Sequence, residues 1–448
     1  MVDIRERRGG RLARNPYAKI FRIPGSWRFS VAGLIGRMQM SMYGLGTVLL
    51  IAASTGWYGM AGAVASTGSL GSAFFAPQVA RPPGPGWLDE TMPDYDAFLL
   101  VSFGGPEAPG DVMPFLRNVT RGRGIPDERL AAVAEHYYAA GGVSPISQQC
   151  RDLIEALRAG FPAAGLDLPI YWGNRNWDPY LTETVAAMAA DGVRRAVAFV
   201  TSAYSSFSSC RQYLDDLDRA RAEVGPAAPR IDKIRRYFNH PGFIEPFAEG
   251  TRAALERLPR QVRDRAPLVF TAHSVPMVMA EASGPPQPPG PRAAAGGRYV
   301  AELAEASRLI AERIPGEGRP WRLVYQSRSG PPSQPWLGPD VVDHLTDLAK
   351  GHAPGAVIIP VGFVSDHMEV RYDLDTEAAE AARGLGLPLA RAATPWYHPR
   401  FRELVVDLVR ERLEDRPAAQ RAALGPLGPS TDECPDGCCV FTRPEARA

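Results

Sequence analysis

The stretch VIIPVGFVSDHMEVRYDLD, residues 357–375, opens as an uncharged, largely β-branched run and turns polar at Ser365. A strand buried on both faces of a parallel sheet requires such a run. Gly362 interrupts it, and Ser365, Asp366, His367, Glu369, Asp373 and Asp375 follow. Ligands of open α/β folds bind just beyond the carboxyl ends of strands, so His367 and Glu369 stand where chemistry is done. A plain helix start, capped by Ser365 or Asp366 with acids in its first turn, would give the same letters. A second stretch, LVFTAH at 268–273, is another buried-strand run that ends on a histidine. Two strands that each deliver a titratable group to one sheet edge mark a candidate active site.

Outward from these two strands the alternation is regular. Strand-like runs at 96–103, 169–174, 195–202, 267–272, 322–327, 357–363 and 389–393 alternate with helical patterns, among them 128–138, 146–157, 180–190, 210–222, 242–257, 298–313, 339–349, 375–384 and 401–413. Such alternation predicts parallel sheets with right-handed crossovers. Because the pattern runs twice, the expected fold class is α/β, with two similar Rossmann-like doubly wound parallel-sheet domains and a cleft between them. The expected bounds are 92–240 and 241–395, then a helix at 396–414 and a cysteine-bearing tail at 415–448. The Pro/Gly-rich stretch 284–297 reads as a loop insertion. Residues 415–433, rich in Pro, Ala and Gly, are not expected to fold alone.

With 448 residues the chain is long enough for two domains' worth of core. Lys+Arg 50 against Asp+Glu 49 leaves a formal charge of +1, which gives no nucleic-acid signal. Residues 1–91 differ from the rest: a basic segment is followed by Met38 to Ala80, which holds no charged residue. Three readings fit. Tyr43 to Ala65 is a weakly apolar candidate membrane span, Ala63-Val64-Ala65 fits a cleavage site, or Met92 is the start and the rest an upstream extension. The expectation is a cytoplasmic monomer, with membrane contact through residues 43–65 left open.

No GxxxxGK[ST] loop is present, no GxGxxG follows the first strand, and neither GxSxG nor HExxH occurs. What remains is an imidazole and a carboxylate on different strands. Phe103, Arg121, Arg123, His136, Tyr137, Tyr213, Arg328 and Trp336 are basic or aromatic residues around them. Each alone is more often a core or surface residue; together they suit a large, flat, anionic ligand.

Seven segments in order, VSFGGPE (101–107), NVTRGR (118–123), GGVSPI (141–146), GNRNWDPY (173–180), TAHSVP (271–276), YQSRSGPPSQPWLGPDV (325–341) and PVGFVSDHMEVRYDLD (360–375), make the chain from Met92 to Leu413 resemble the ferrochelatases. The resemblance implies two Rossmann-like domains around a porphyrin cleft and insertion of Fe(II) without ATP. It makes His273 and Glu369 the catalytic, iron-contacting pair. It makes Arg121, His136, Tyr137 and Ser144 ligands of porphyrin carboxylates, with Phe103, Tyr213 and Trp336 as further porphyrin contacts. Phe103 stands where relatives carry Tyr or Met, so no axial phenolate is available. The likeness is greatest to the cluster-bearing bacterial branch, which implies coproporphyrin III as substrate; protoporphyrin IX and a non-catalytic porphyrin or haem carrier are the alternatives.

The chemistry suits these residues. Metallation removes two pyrrole protons while a hydrated ion sheds water, so a base of near-neutral pKa is needed on the cleft wall. Imidazole with carboxylate makes an open, weak site that delivers iron and does not trap it. The five cysteines, at 150, 210, 434, 438 and 439, are an odd set crowded at the C-terminus and do not read as a disulfide framework. Cys434, Cys438 and Cys439, with Cys210 as the best fourth, suit a [2Fe–2S] cluster, with structural zinc as the alternative. Cys150, on an apolar-patterned helix, reads as a buried structural cysteine.

Overall fold

The computed structural model describes residues 95–441 apart from 123, 287–295, 317 and 331–332. The expectations for residues 1–91, and Arg123, lie outside the described residues. Thr91–Ala448 forms one compact unit.

Two four-stranded, all-parallel sheets organise it. The first holds β1 (Ala97–Ser102), β2 (Ile170–Asn174), β3 (Arg195–Val200) and β4 (Arg230–Lys233), in the order β2-β1-β3-β4. The second holds β5 (Leu268–His273), β6 (Trp321–Gln326), β7 (Ala356–Ile359) and β8 (Leu389–Arg391), in the order β6-β5-β7-β8. Each sheet thus places its first strand between its second and third, so the topology is the same one written twice. In such sheets the connections diverge beside the first strand, and that divergence opens a crevice at the strands' carboxyl ends. The crevices lie beyond β1/β3 and beyond β5/β7.

The apolar runs explain the layering. All six residues of β1 and all four of β7 are buried, as strands covered on both faces must be. Phe98 and Leu100 face a large central core that also takes Phe270, Ala272, Val357 and Ile359 from the second sheet. Ala97, Leu99 and Val101 face a separate outer layer with Val185, Tyr213 and Leu217. Both sheets therefore share one apolar layer. The helix Pro399–Leu413 packs into it through Phe401, Leu404, Val405, Leu408 and Val409.

Three local departures from the sequence expectation have physical causes. The strand expected over 357–363 stops at Ile359, because Pro360 has no N–H to donate to the ladder. The helix expected over 375–384 begins at Met368 and winds as a π-helix from Arg371 to Ala378 before becoming α-helical at Ala379. A short π turn at Phe207–Arg211 precedes the helix Gln212–Val224. π segments are rare and concentrate at functional sites.

Residues 415–433, not expected to fold alone, lie against the body of the chain through polar contacts. Arg235 forks onto Glu411 at 2.7 and 3.1 Å and also donates to the Ala422 carbonyl. Asn239 donates to the carbonyls of Leu424 and Gly428, and its own carbonyl accepts from Leu424 N–H. Asp432 pairs with Arg421 at 2.6 Å and Arg412 at 3.6 Å. Among the described residues no helix is long and apolar enough to cross a membrane.

Candidate active site

β5 ends at His273, whose imidazole and backbone carbonyl are each held by one hydrogen bond. Nδ1 lies 2.5 Å from the Ser274 carbonyl, and the His273 carbonyl accepts from the buried Tyr299 hydroxyl at 3.0 Å. A carbonyl can only accept, so Nδ1 carries the proton in the neutral ring and Nε2 keeps its lone pair. That lone pair faces the Glu369 carboxylate, with Nε2 and Oε2 3.9 Å apart. The expected pair is brought together at the β5/β7 crevice.

Gly362 makes this approach possible. A Cβ there would lie 2.6 Å from Ala272 Cβ, so only glycine lets the chain leaving β7 run against the end of β5. Gly362 N–H donates to the Thr271 carbonyl at 3.0 Å and fixes the crossing. His367 packs edge-on to Phe363, and desolvation holds its pKa below the ordinary histidine value. It is therefore a neutral wall of the site, less suited to taking protons than His273.

Beyond Glu369 the π winding adds acids that the sequence reading did not single out. Burial pushes the Asp373 carboxyl up to about 6, with the neighbouring charge of Glu369 contributing and a hydrogen bond from Ser327 opposing. Ser327 and Gln326, at the end of β6, both donate to Asp373. Glu377 follows four residues on, its carboxyl also raised, chiefly by burial. Glu369, Asp373 and Glu377 form a row leading from His273 toward solvent. The signal was their four-residue spacing, which sets them along one face of a helix.

The β1 side supplies the opposite wall. Phe103 follows β1 and meets Phe115 edge-on at 6.2 Å, inside a small cluster that includes Tyr137. Tyr137 has its phenol pKa raised by burial and by the charge of Glu369, which places its ring near that carboxylate. Ser144 is buried against Gly105, where a Cβ would come within 2.6 Å of the serine's own. His136 stacks on Tyr372, and Arg121 is exposed near Tyr180. Trp336 bridges to Pro276, just past His273, and covers Gly330; its indole Nε1 is buried without a hydrogen-bond partner. Tyr213 meets this wall through Arg175, whose guanidinium also lies 5.8 Å from the Phe103 ring. It is buried in the outer layer on the other face of the first sheet, with Arg175 4.5 Å above its ring.

The cysteines gather elsewhere. Arg236 Nη1 lies 3.6 Å from Cys434 Sγ and 3.9 Å from Cys210 Sγ. Cys438 and Cys439 sulfurs are 3.8 Å apart, and Cys439 Sγ accepts from Gly284 N–H at 3.1 Å. Thiol hydrogen bonds from Cys210 and Cys438 hold the Cys434 pKa low. Among the described residues no group of three or more His, Cys, Asp or Glu is placed to hold a metal ion. Cys150 is buried beneath the first sheet, where burial pushes its thiol up to about 12.

The site thus sets an imidazole opposite a carboxylate at a strand-end crevice of an α/β fold, with two further acids close by. The family model for ferrochelatases matches residues 95–413. The coproporphyrin III ferrochelatase of Streptomyces griseus is 54% identical over 362 residues, 79% of this chain and 96% of the relative. That of Nocardia farcinica is 53% identical over 355 residues, 79% and 99% of the two chains. The ferrochelatase of Rhodopirellula baltica is 49% identical over 352 residues, 78% and 95%. The chain belongs to the ferrochelatase family, lyases of haem biosynthesis that insert iron into a porphyrin.

Proposed function

We propose that this chain inserts Fe(II) into coproporphyrin III to give coproheme, with His273 and Glu369 as the catalytic pair. The observation that carries the reading is His273 Nε2, 3.9 Å from Glu369 Oε2 at the crevice of the second sheet, with Nδ1 on the Ser274 carbonyl. His273 takes a pyrrole proton at Nε2 as its Nδ1–H remains on the Ser274 carbonyl. Glu369, the exposed member, meets the incoming ion or takes the second proton. Asp373, its carboxyl pushed up to about 6 by burial, relays that proton onward past Glu377.

The choice of porphyrin is supported by the relatives' substrate and by the residues on the β1 side. Arg121, His136, Tyr137 and Ser144 are suited to carboxylates, of which coproporphyrin carries four and protoporphyrin two. Each charge-assisted hydrogen bond contributes roughly 1.5–3 kcal/mol, so the tetracarboxylate is favoured. The test is metallation of both porphyrins by the purified chain. A kcat/KM for coproporphyrin III at least about tenfold higher is expected; equal values would remove the assignment.

Cys210, Cys434, Cys438 and Cys439 are proposed to hold a [2Fe–2S] cluster. Two thiolates on one tetrahedral metal, at bonds of ~2.3 Å, sit about 3.8 Å apart, which matches the Cys438–Cys439 separation. The four thiols follow one another in contact, Cys210 to Cys434 to Cys438 to Cys439, so all four can serve one centre. When bound, such a cluster supplies one-electron redox chemistry and a cross-link; iron insertion itself needs neither. Iron and acid-labile sulfide of about two each per chain are expected; stoichiometric zinc would refute the assignment.

A further inference from the structure

β8 is a three-residue edge strand, and its last residue, Arg391, does something its position does not require. The side chain is mostly buried, and its three nitrogens are directed at two carboxylates. Nε lies 2.6 Å from Asp375 Oδ1 and Nη2 3.0 Å from Asp375 Oδ2, a planar two-bond fork. Nη1 lies 2.8 Å from Asp366 Oδ1 and 3.2 Å from the Ala392 carbonyl. The backbone at this strand end is held as well, because Arg257 donates to the Arg391 carbonyl.

The two acids bracket the catalytic segment. Asp366 stands three residues before Glu369, in the turn that follows β7, and Asp375 lies in the π-helix Arg371–Ala378. One cation thus grips both ends of the stretch that carries His367, Glu369 and Asp373. Val370 and Leu374 are buried in the second sheet's outer core and Asp373 accepts from Ser327 and Gln326, so the later part of the stretch is anchored. The part that carries Glu369 is a helical piece of only Met368–Val370. Glu369 is exposed, so packing does not fix its place either.

We infer that Arg391 is a positioning residue: by holding Asp366 and Asp375 at once it sets the distance of Glu369 from His273. A lysine could not replace it, because a single ammonium on a flexible stem cannot form the fork and reach the second carboxylate together. The inference rests on the catalytic role proposed for Glu369.

The test uses Arg391→Met, Arg391→Lys, Asp375→Asn and Glu369→Gln in the full chain. It measures kcat, KM for Fe(II), porphyrin affinity by fluorescence quenching, and folding by circular dichroism. A sub-ångström to ångström displacement of a reacting group costs on the order of 10- to 100-fold, so Arg391→Met is expected to lose that much kcat. Iron KM rises, porphyrin affinity stays within about twofold, and Arg391→Lys and Asp375→Asn fall between. If Arg391→Met does not fold, the two milder variants decide on the same readouts. A kcat within about twofold of wild type, or losses shared equally with porphyrin affinity, overturns the inference. Were Glu369→Gln itself fully active, the catalytic reading would fail instead, whatever Arg391 does.

Discussion

The imidazole of His136 lies flat on the phenol ring of Tyr372, with centroids 3.7 Å apart and planes 6° from parallel. His136 belongs to the helix Asp127–Ala139, after β1, and Tyr372 to the π-helix of the second sheet. The stack therefore ties the two walls of the crevice together at their rim. A porphyrin whose carboxylate engages His136 must part it. Aromatic pairs of this kind contribute about 0.5–1.5 kcal/mol, so Tyr372→Ala should speed porphyrin association about 2- to 10-fold. Stopped-flow quenching of porphyrin fluorescence reads this directly. Unchanged association and dissociation rates would show that the stack does not lie on the ligand's path.

The catalytic pair is tested by separating binding from rate. His273→Ala removes the lone pair that faces Glu369, and a general base contributes about 10²–10⁴ in rate. Turnover should fall by at least that lower figure, with porphyrin affinity and the circular dichroism spectrum retained. Glu369→Gln keeps the shape of the side chain and should also lose turnover, with porphyrin binding kept. A Glu369→Gln enzyme that lost affinity and kept its rate would make the residue a porphyrin ligand and not a partner of His273.

His273 and Glu369 were legible because strand ends in a parallel sheet announce themselves: an uncharged run stops, and the next titratable group lies at the crevice. Asp373 and Glu377 were not singled out as part of the path, since π winding leaves no mark in a pattern read at 3.6 residues per turn. Arg391 was unreadable for another reason. Its partners are 16 and 25 positions away, and long-range ion pairs have no period in sequence. The same holds for Arg235 and Glu411, 176 residues apart, which anchor a tail whose composition alone reads as unfolded. Tyr213 is buried in the outer layer, a placement that its position near a strand end did not reveal.

Asp373 gives the site a pH signature. Its carboxyl is pushed up to about 6 from 3.8, chiefly by burial. The folded chain therefore holds this proton more tightly than the unfolded chain does. Stability from this group is present below about pH 4 and is lost as pH rises through 6. Above that, the ionised carboxylate costs up to about 3 kcal/mol. Asp373→Asn should accordingly melt higher than wild type at pH 8, with the difference vanishing toward pH 4, and should lose turnover if Asp373 passes protons onward. Thermal melts across that range check it. A pH-independent difference would mean that the carboxyl is not ionising where its burial places it.

The tail's own contacts predict what happens when the thiols are removed. Arg235 and Glu411 are nearly inaccessible to solvent, at 1% and 4%, and both also bind the Ala422 backbone. Removing one partner of such a pair leaves a buried charge uncompensated, at about 3–5 kcal/mol. Changing Cys434, Cys438 and Cys439 together to Ser removes all three sulfurs but none of the bonds made by Asn239, Arg421 or Asp432. The triple-Ser variant should therefore be colourless, with residues 422–432 still protected from limited proteolysis. Glu411→Gln should do the reverse, lowering stability and exposing residues 422–432 to cleavage while the four thiols remain. If the triple-Ser tail is cut as fast as that of Glu411→Gln, the sulfurs, and not the ion pairs, hold it in place.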